Sequence, residues 1–142
     1  MRPSPWPAAG LALVVAACGG GGGGTPDAST SPTTGATGTT AQACIDHGWT
    51  GLTYASFGQP FMASYCTSCH STASTSRRGA PQGIDFDTLD GIQAYAADID
   101  LVTGMNIAGT VKNTTMPPRG LPAPVDTDRQ RISCWIAYGL PP

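Results

Sequence analysis

The residues best equipped for chemistry sit in one short run, Tyr65-Cys66-Thr67-Ser68-Cys69-His70. It holds two of the chain's five cysteines and one of its two histidines. Three chemistries use this spacing. With Cys66 and Cys69 as thioether attachment points, the two intervening residues place both sulfurs over one edge of a porphyrin. The adjacent His70 is then carried under the iron as an axial ligand. A zinc site would combine Cys66 and Cys69 with Cys44 and His47, because Cys44-Ile45-Asp46-His47 supplies the other half of a tetrahedral nitrogen–sulfur set. A reversible dithiol would use Cys66 and Cys69 alone. That motif belongs at a strand-to-helix junction in a βαβ unit, and no strand pattern precedes it here.

The haem option requires a ligand from the other side of the iron. Thr115-Met116-Pro117-Pro118 offers a thioether on a stiff loop, since proline fixes φ and lacks an N–H. A soft sulfur ligand prefers Fe(II) and raises the reduction potential. His47 is a rival that would give two histidines and a lower potential. Met105 lacks a proline clamp, and Met62 falls on the core side of an expected helix. If Met116 left the iron free, the open position would bind small gases or react with peroxide, which is the alternative function. The zinc option leaves His70, Met116 and Cys134 without roles.

These residues have to be positioned by helices. The sequence predicts one from about Pro60 into the cysteine motif, with proline suited to the first turn. A second is expected from about Thr88 to Ile99, with Asp87 as N-cap and an apolar stripe of Leu89, Ile92, Tyr95, Ala96 and Ile99. A third starts near Thr127, where Thr-x-x-Gln with Gln130 has the form of a capping box, and ends at Gly139 and Pro141. No alternating strand pattern of useful length occurs, so the expected class is all-α: about three helices with long loops. Loops that long need a surface to pack on, and a large flat cofactor would provide one. In the third helix Ile132, Trp135 and Ile136 share a face, and Cys134 points away from it. Cys134 is therefore expected outside the core, bridged to Cys44, with the segment after Cys44 lying across the outer side of that helix.

The whole chain sets the compartment and excludes some functions. Residues 1–17 place one positive charge, Arg2, before an apolar run too short to span a bilayer, the layout of an export signal. Val15-Ala16-Ala17-Cys18 resembles the lipobox of bacterial lipoproteins, which implies acylation of Cys18 and a membrane anchor outside the cytoplasm, the outer membrane being hinted at by Gly19. Residues 18–42 lack large apolar side chains and read as a disordered tether with a reach of roughly 25–30 Å. The foldable part is then 43–142. In an oxidising compartment the two remaining cysteines, Cys44 and Cys134, tend to pair. Removing Arg2 leaves six basic residues against nine aspartates, and no basic stripe, so nucleic acid is excluded as an expected partner. Hydrolytic chemistry lacks a free, oriented histidine.

Taken together, CTSCH, the later Met-Pro-Pro and the terminal Trp135-Ile136-Ala137-Tyr138-Gly139 resemble the single-haem c-type cytochrome domains of bacterial lipoproteins, across roughly Gly58 to Pro142. The resemblance implies one haem c bound covalently by Cys66 and Cys69, with His70 and Met116 on the iron and crossed first and last helices. It also implies a backbone carbonyl accepting the second N–H of His70, for which Gly79-Ala80-Pro81 is the matching stretch. A domain of this kind carries single electrons between redox protein partners and is not itself an enzyme.

Overall fold

The computed structural model describes residues 38–142. The expected export signal, the lipidation site at Cys18 and most of the tether lie outside the described residues. Among the described residues the protein is all-α. Among these residues the only β-type pairing is a single antiparallel bridge between Met105 and Lys112, and no helix there is long and apolar enough to cross a membrane.

Helix α1, Ala41–Asp46, is capped by Thr40, whose hydroxyl accepts from Ala43 N–H. It begins two residues ahead of the expected domain start at 43. A reciprocal box between Thr53 and Ser56 then opens a π-helical turn, Tyr54–Gly58, which runs straight into α2, Gln59–Tyr65, with Pro60 in its first turn. Phe61 and Met62 of α2 are buried. Phe57 packs edge-on against Trp135, ring centres 6.4 Å apart.

The expected second helix is broken in two. Helix α3, Leu89–Ala94, and α4, Ala96–Thr103, meet at Tyr95, whose backbone (φ −123°, ψ 19°) leaves the helical basin. The apolar stripe survives the break. Ile92 and Ile99 are in the core, with Leu89, Tyr95 and Ala96 packed against it. The cap is Thr88 rather than Asp87, because the Thr88 hydroxyl accepts from Gly91 N–H. Asp87 instead accepts from both the amide and the hydroxyl of Thr72.

Helix α5, Asp126–Ala137, starts without a side-chain cap, and the expected Thr127–Gln130 box does not form. Gln130 is drawn away to donate to the Ile107 carbonyl at 2.9 Å. Asp126 and Asp128 in the first turn suit the positive end of the helix dipole. After Gly139 (φ +88°) the chain folds back. Pro141 O accepts from both the Trp135 indole N–H and the Tyr54 amide, which ties the C-terminus to the π turn.

The Cys44–Cys134 disulfide is present and joins α1 to α5 across 90 positions of sequence. The expectation that Cys134 lies outside the core is overturned, since both cysteines are fully buried. Helical phase does point Cys134 away from Ile132 and Trp135, but α1 covers that side of α5 as well. A helix enclosed from two directions loses the one-sided stripe that phase arguments assume.

Gly58 sits where a side chain has no room: a Cβ there would lie 2.4 Å from the fully buried Trp135 indole. Replacing Gly58 with alanine is expected to cost about 1–3 kcal/mol through overpacking. Urea unfolding of the variant would check this, and an unchanged midpoint would show that the indole moves freely.

Candidate functional site

The cysteine motif is delivered by the end of α2. Cys66 and Thr67 both donate their amides to Met62 O, and His70 donates to Cys66 O at 2.9 Å. This tight turn sets Cys66, Cys69 and His70 along one wall of a cavity of about 360 Å³. Met116 and Pro117 line the same cavity, with Phe86, Ile99 and Val102 among its apolar walls. The four residues expected to hold the cofactor are thus brought together. Sites for small molecules and cofactors commonly span ≈300–1,000 Å³ and are largely apolar with a few placed polar groups.

His70 is held in one tautomer. Its Nδ1 lies 3.0 Å from Ile84 O, an atom that can only accept, so Nδ1 carries a proton and Nε2 is the nitrogen left to act as a ligand. The ring stacks on Phe86 with centres 4.8 Å apart, and the Phe86 amide donates to His70 O. The expected acceptor stretch, Gly79-Ala80-Pro81, is corrected to Ile84. Residues 78 and 79 turn through positive φ (48° and 91°), and the Ala80 and Pro81 carbonyls are taken by Arg77.

The thiols differ in environment. Cys69 is buried and Cys66 half-buried. Burial pushes the Cys66 thiol up to about 12, and the neighbouring Cys69 adds to the effect. A disulfide exchanger needs an accessible thiolate near neutral pH, so this pair is poorly placed for thioredoxin-like chemistry.

Met116 is fixed through its backbone. Its amide donates to Val102 O at 2.9 Å, and the Thr103 hydroxyl reaches Met116 O at 3.4 Å. Behind this loop lies a residue the sequence reading passed over, Arg129 of α5. It is 3% exposed and donates to Thr103 O (2.7 Å), Asn113 O (2.6 Å) and Pro124 O (3.1 Å). One guanidinium therefore pins the end of α4 and both flanks of the methionine loop to the terminal helix. Burial lowers its pKa from the ordinary arginine value. Beside it, Ser133 donates to the buried Asp100 carboxylate and accepts from Met105 N–H. A signal was available: Arg129 precedes Ile132 by three residues and so falls on the core face.

The rival residues are elsewhere. His47 is exposed and lies against Trp49, ring centres 5.2 Å apart. Cys44 is committed to its bridge. Among the described residues no three histidines, cysteines or aspartates gather as a metal-binding group. Met62 and Met105 are buried outside the cavity. Of the arginines near the loops, Arg78 lines the cavity rim, whereas Arg119 is exposed away from it. Compared with known proteins, the chain matches no family, no curated protein and no solved structure.

Substituting Arg129 by methionine keeps the length but strands three carbonyls. The expected loss is about 2–4 kcal/mol, since each orphaned buried group costs on the order of 1–3 kcal/mol and some will find water. Amide hydrogen exchange at Asn113 and Met116 should accelerate more than at Ile132. Uniform acceleration across α5 would mean that Arg129 does not specifically hold the loop.

Proposed function

We propose that this protein is a c-type cytochrome, tethered to a membrane outside the cytoplasm through Cys18, that carries single electrons between redox protein partners. One observation carries the proposal: two cysteines, a tautomer-locked histidine and a clamped methionine line a single apolar cavity although the chain delivers them from distant segments. This donor set fits haem c. Cys66 and Cys69 would hold it by thioether bonds, and His70 Nε2 and Met116 would supply the iron's protein ligands. The bound haem supplies the one-electron couple.

The chain's own residues account for the rest of the function. The apolar walls exclude water, which would otherwise stabilise the extra charge of the oxidised state. Ile84 O fixes the plane of the imidazole and strengthens it as a donor. The Val102–Met116 and Arg129 hydrogen bonds keep the thioether loop from relaxing when the charge changes, which holds reorganisation small. With His70 and Met116 both engaged by a bound haem, no ligand position would remain for a substrate, so the site suits a carrier better than an enzyme. Partners would meet it across a small, weak interface, as transient redox complexes do.

The gas-binding or peroxidase-like alternative needs Met116 withdrawn from the site, whereas its backbone hydrogen bonds keep the residue at the cavity wall. The zinc alternative needs Cys44, which is already bridged.

Secretion of the full chain with a haem-attachment machinery tests the proposal. The expected product is red, gives a c-type pyridine haemochrome, and gains the mass of one haem. Denatured without reductant it should offer no alkylatable thiol outside the N-terminal segment, and after reduction only Cys44 and Cys134 should react. Met116→Ala should retain the covalent haem but lose the weak charge-transfer band at the red edge of the oxidised spectrum. A colourless product with all four sulfurs of the domain alkylatable after reduction would sink the proposal.

A further inference from the structure

A single guanidinium beside His70 uses every donor it has. Arg77 Nε donates to Ala80 O (3.3 Å), Nη1 to Ser71 O (2.8 Å) and the Asp85 carboxylate (2.6 Å), and Nη2 to Pro81 O (2.5 Å) and Ile84 O (3.1 Å). A guanidinium has five N–H groups, so none remains for a ligand, although Arg77 borders the cavity. The side chains of Arg77 and Asp85 are only 18% and 20% exposed, so water screens them weakly.

One of those acceptors is shared. Ile84 O, at 3.1 Å from Arg77 Nη2, is also the atom that accepts from His70 Nδ1 at 3.0 Å. A carbonyl oxygen has two lone pairs, so both bonds coexist. An acceptor on Nδ1–H raises the basicity of the imidazole at Nε2, and the gain depends on the electron density that the acceptor offers. A cationic donor on the same oxygen draws that density away from the histidine.

We propose that Arg77 is a positioning residue that sets the donor strength of His70 through the shared Ile84 carbonyl, and so holds the iron's reduction potential above what an unshared carbonyl would give. The inference rests on the haem assignment above. A weaker imidazole donor stabilises Fe(III) less, and hydrogen bonding around an axial ligand is one of the protein's means of setting the couple. The positive charge at the cavity wall would act in the same direction on a bound haem. Asp85, bonded to the guanidinium's other terminal nitrogen, moderates both effects.

The experiment is potentiometry and proton NMR on the secreted, haem-loaded protein. Arg77→Met should lower the midpoint potential, shifting the electron-transfer equilibrium on the order of tenfold, or 59 mV for one electron. In the reduced, diamagnetic protein the His70 Nδ1–H resonance should move downfield as its hydrogen bond strengthens. Asp85→Asn should move both observables the other way, and Arg77→Lys should fall between wild type and Arg77→Met. Opposite signs from the two members of one ion pair are not produced by general loosening of the loop. A potential that is unmoved or raised in Arg77→Met, with the Met116 charge-transfer band intact, overturns the inference. Should Arg77→Met not fold, Asp85→Asn decides alone: an unmoved or lowered potential, or a downfield shift, overturns it. A wild-type chain without covalent haem would overturn the functional proposal and this inference together, whereas a red wild type with unresponsive variants overturns the inference only.

Discussion

Carbonyl groups in long loops need donors, and meeting that need organises most of this fold. A helix satisfies its own backbone; the stretches 71–87 and 104–125 cannot. Buried or half-buried carbonyls without partners would each cost on the order of 1–3 kcal/mol. Two arginines supply the donors. Arg77 gathers four carbonyls and a carboxylate in the first loop, and Arg129 gathers three carbonyls in and around the second. Each loop contributes one wall of the same cavity, His70 backed by the first and Met116 carried by the second. With a charge content of only 11%, the chain has few such side chains to spend on anything else.

The two arginine hubs differ in what they hold, and this gives the site its asymmetry. On the histidine side the ring itself is gripped, at Nδ1 by Ile84 O and on its face by Phe86. On the methionine side only the backbone is gripped, by Val102, Thr103 and, one step removed, Arg129. A flexible thioether has several rotatable bonds, so fixing its backbone leaves it room to adjust. The histidine is set like a fixture, and the methionine is set at the end of a short arm.

The residues that share the cavity were more legible in the sequence than the framework that carries them. Cys66, Cys69, His70 and Met116 stand out because their types are rare in this chain and their spacing is tight or proline-flanked. The apolar stripe of residues 89–99 was legible because burial enforces periodicity even where the helix breaks at Tyr95. The break itself left no periodic trace. Cap positions shifted by one or two residues because competing acceptors, such as Thr88 against Asp87, differ by little energy. Cys134 was misplaced for a different reason: a two-sided environment cannot be inferred from one helix's pattern. Arg129 went unassigned although its helical phase put it on the core face, because a charge in a sequence looks alike whether it meets water or buried carbonyls. Only the fold tells the two apart.

The bridge from α1 to α5 also decides how mechanical load enters the molecule. Helix α1 is six residues long, too short to be stable without tertiary support, and under tension it would peel off first. Because Cys44 is bonded to Cys134, any pull from the N-terminal segment passes within a few residues into the terminal helix, the element that also carries Trp135 and Arg129. A load applied at the N-terminal end of the described residues would therefore be borne by the most deeply seated part of the fold.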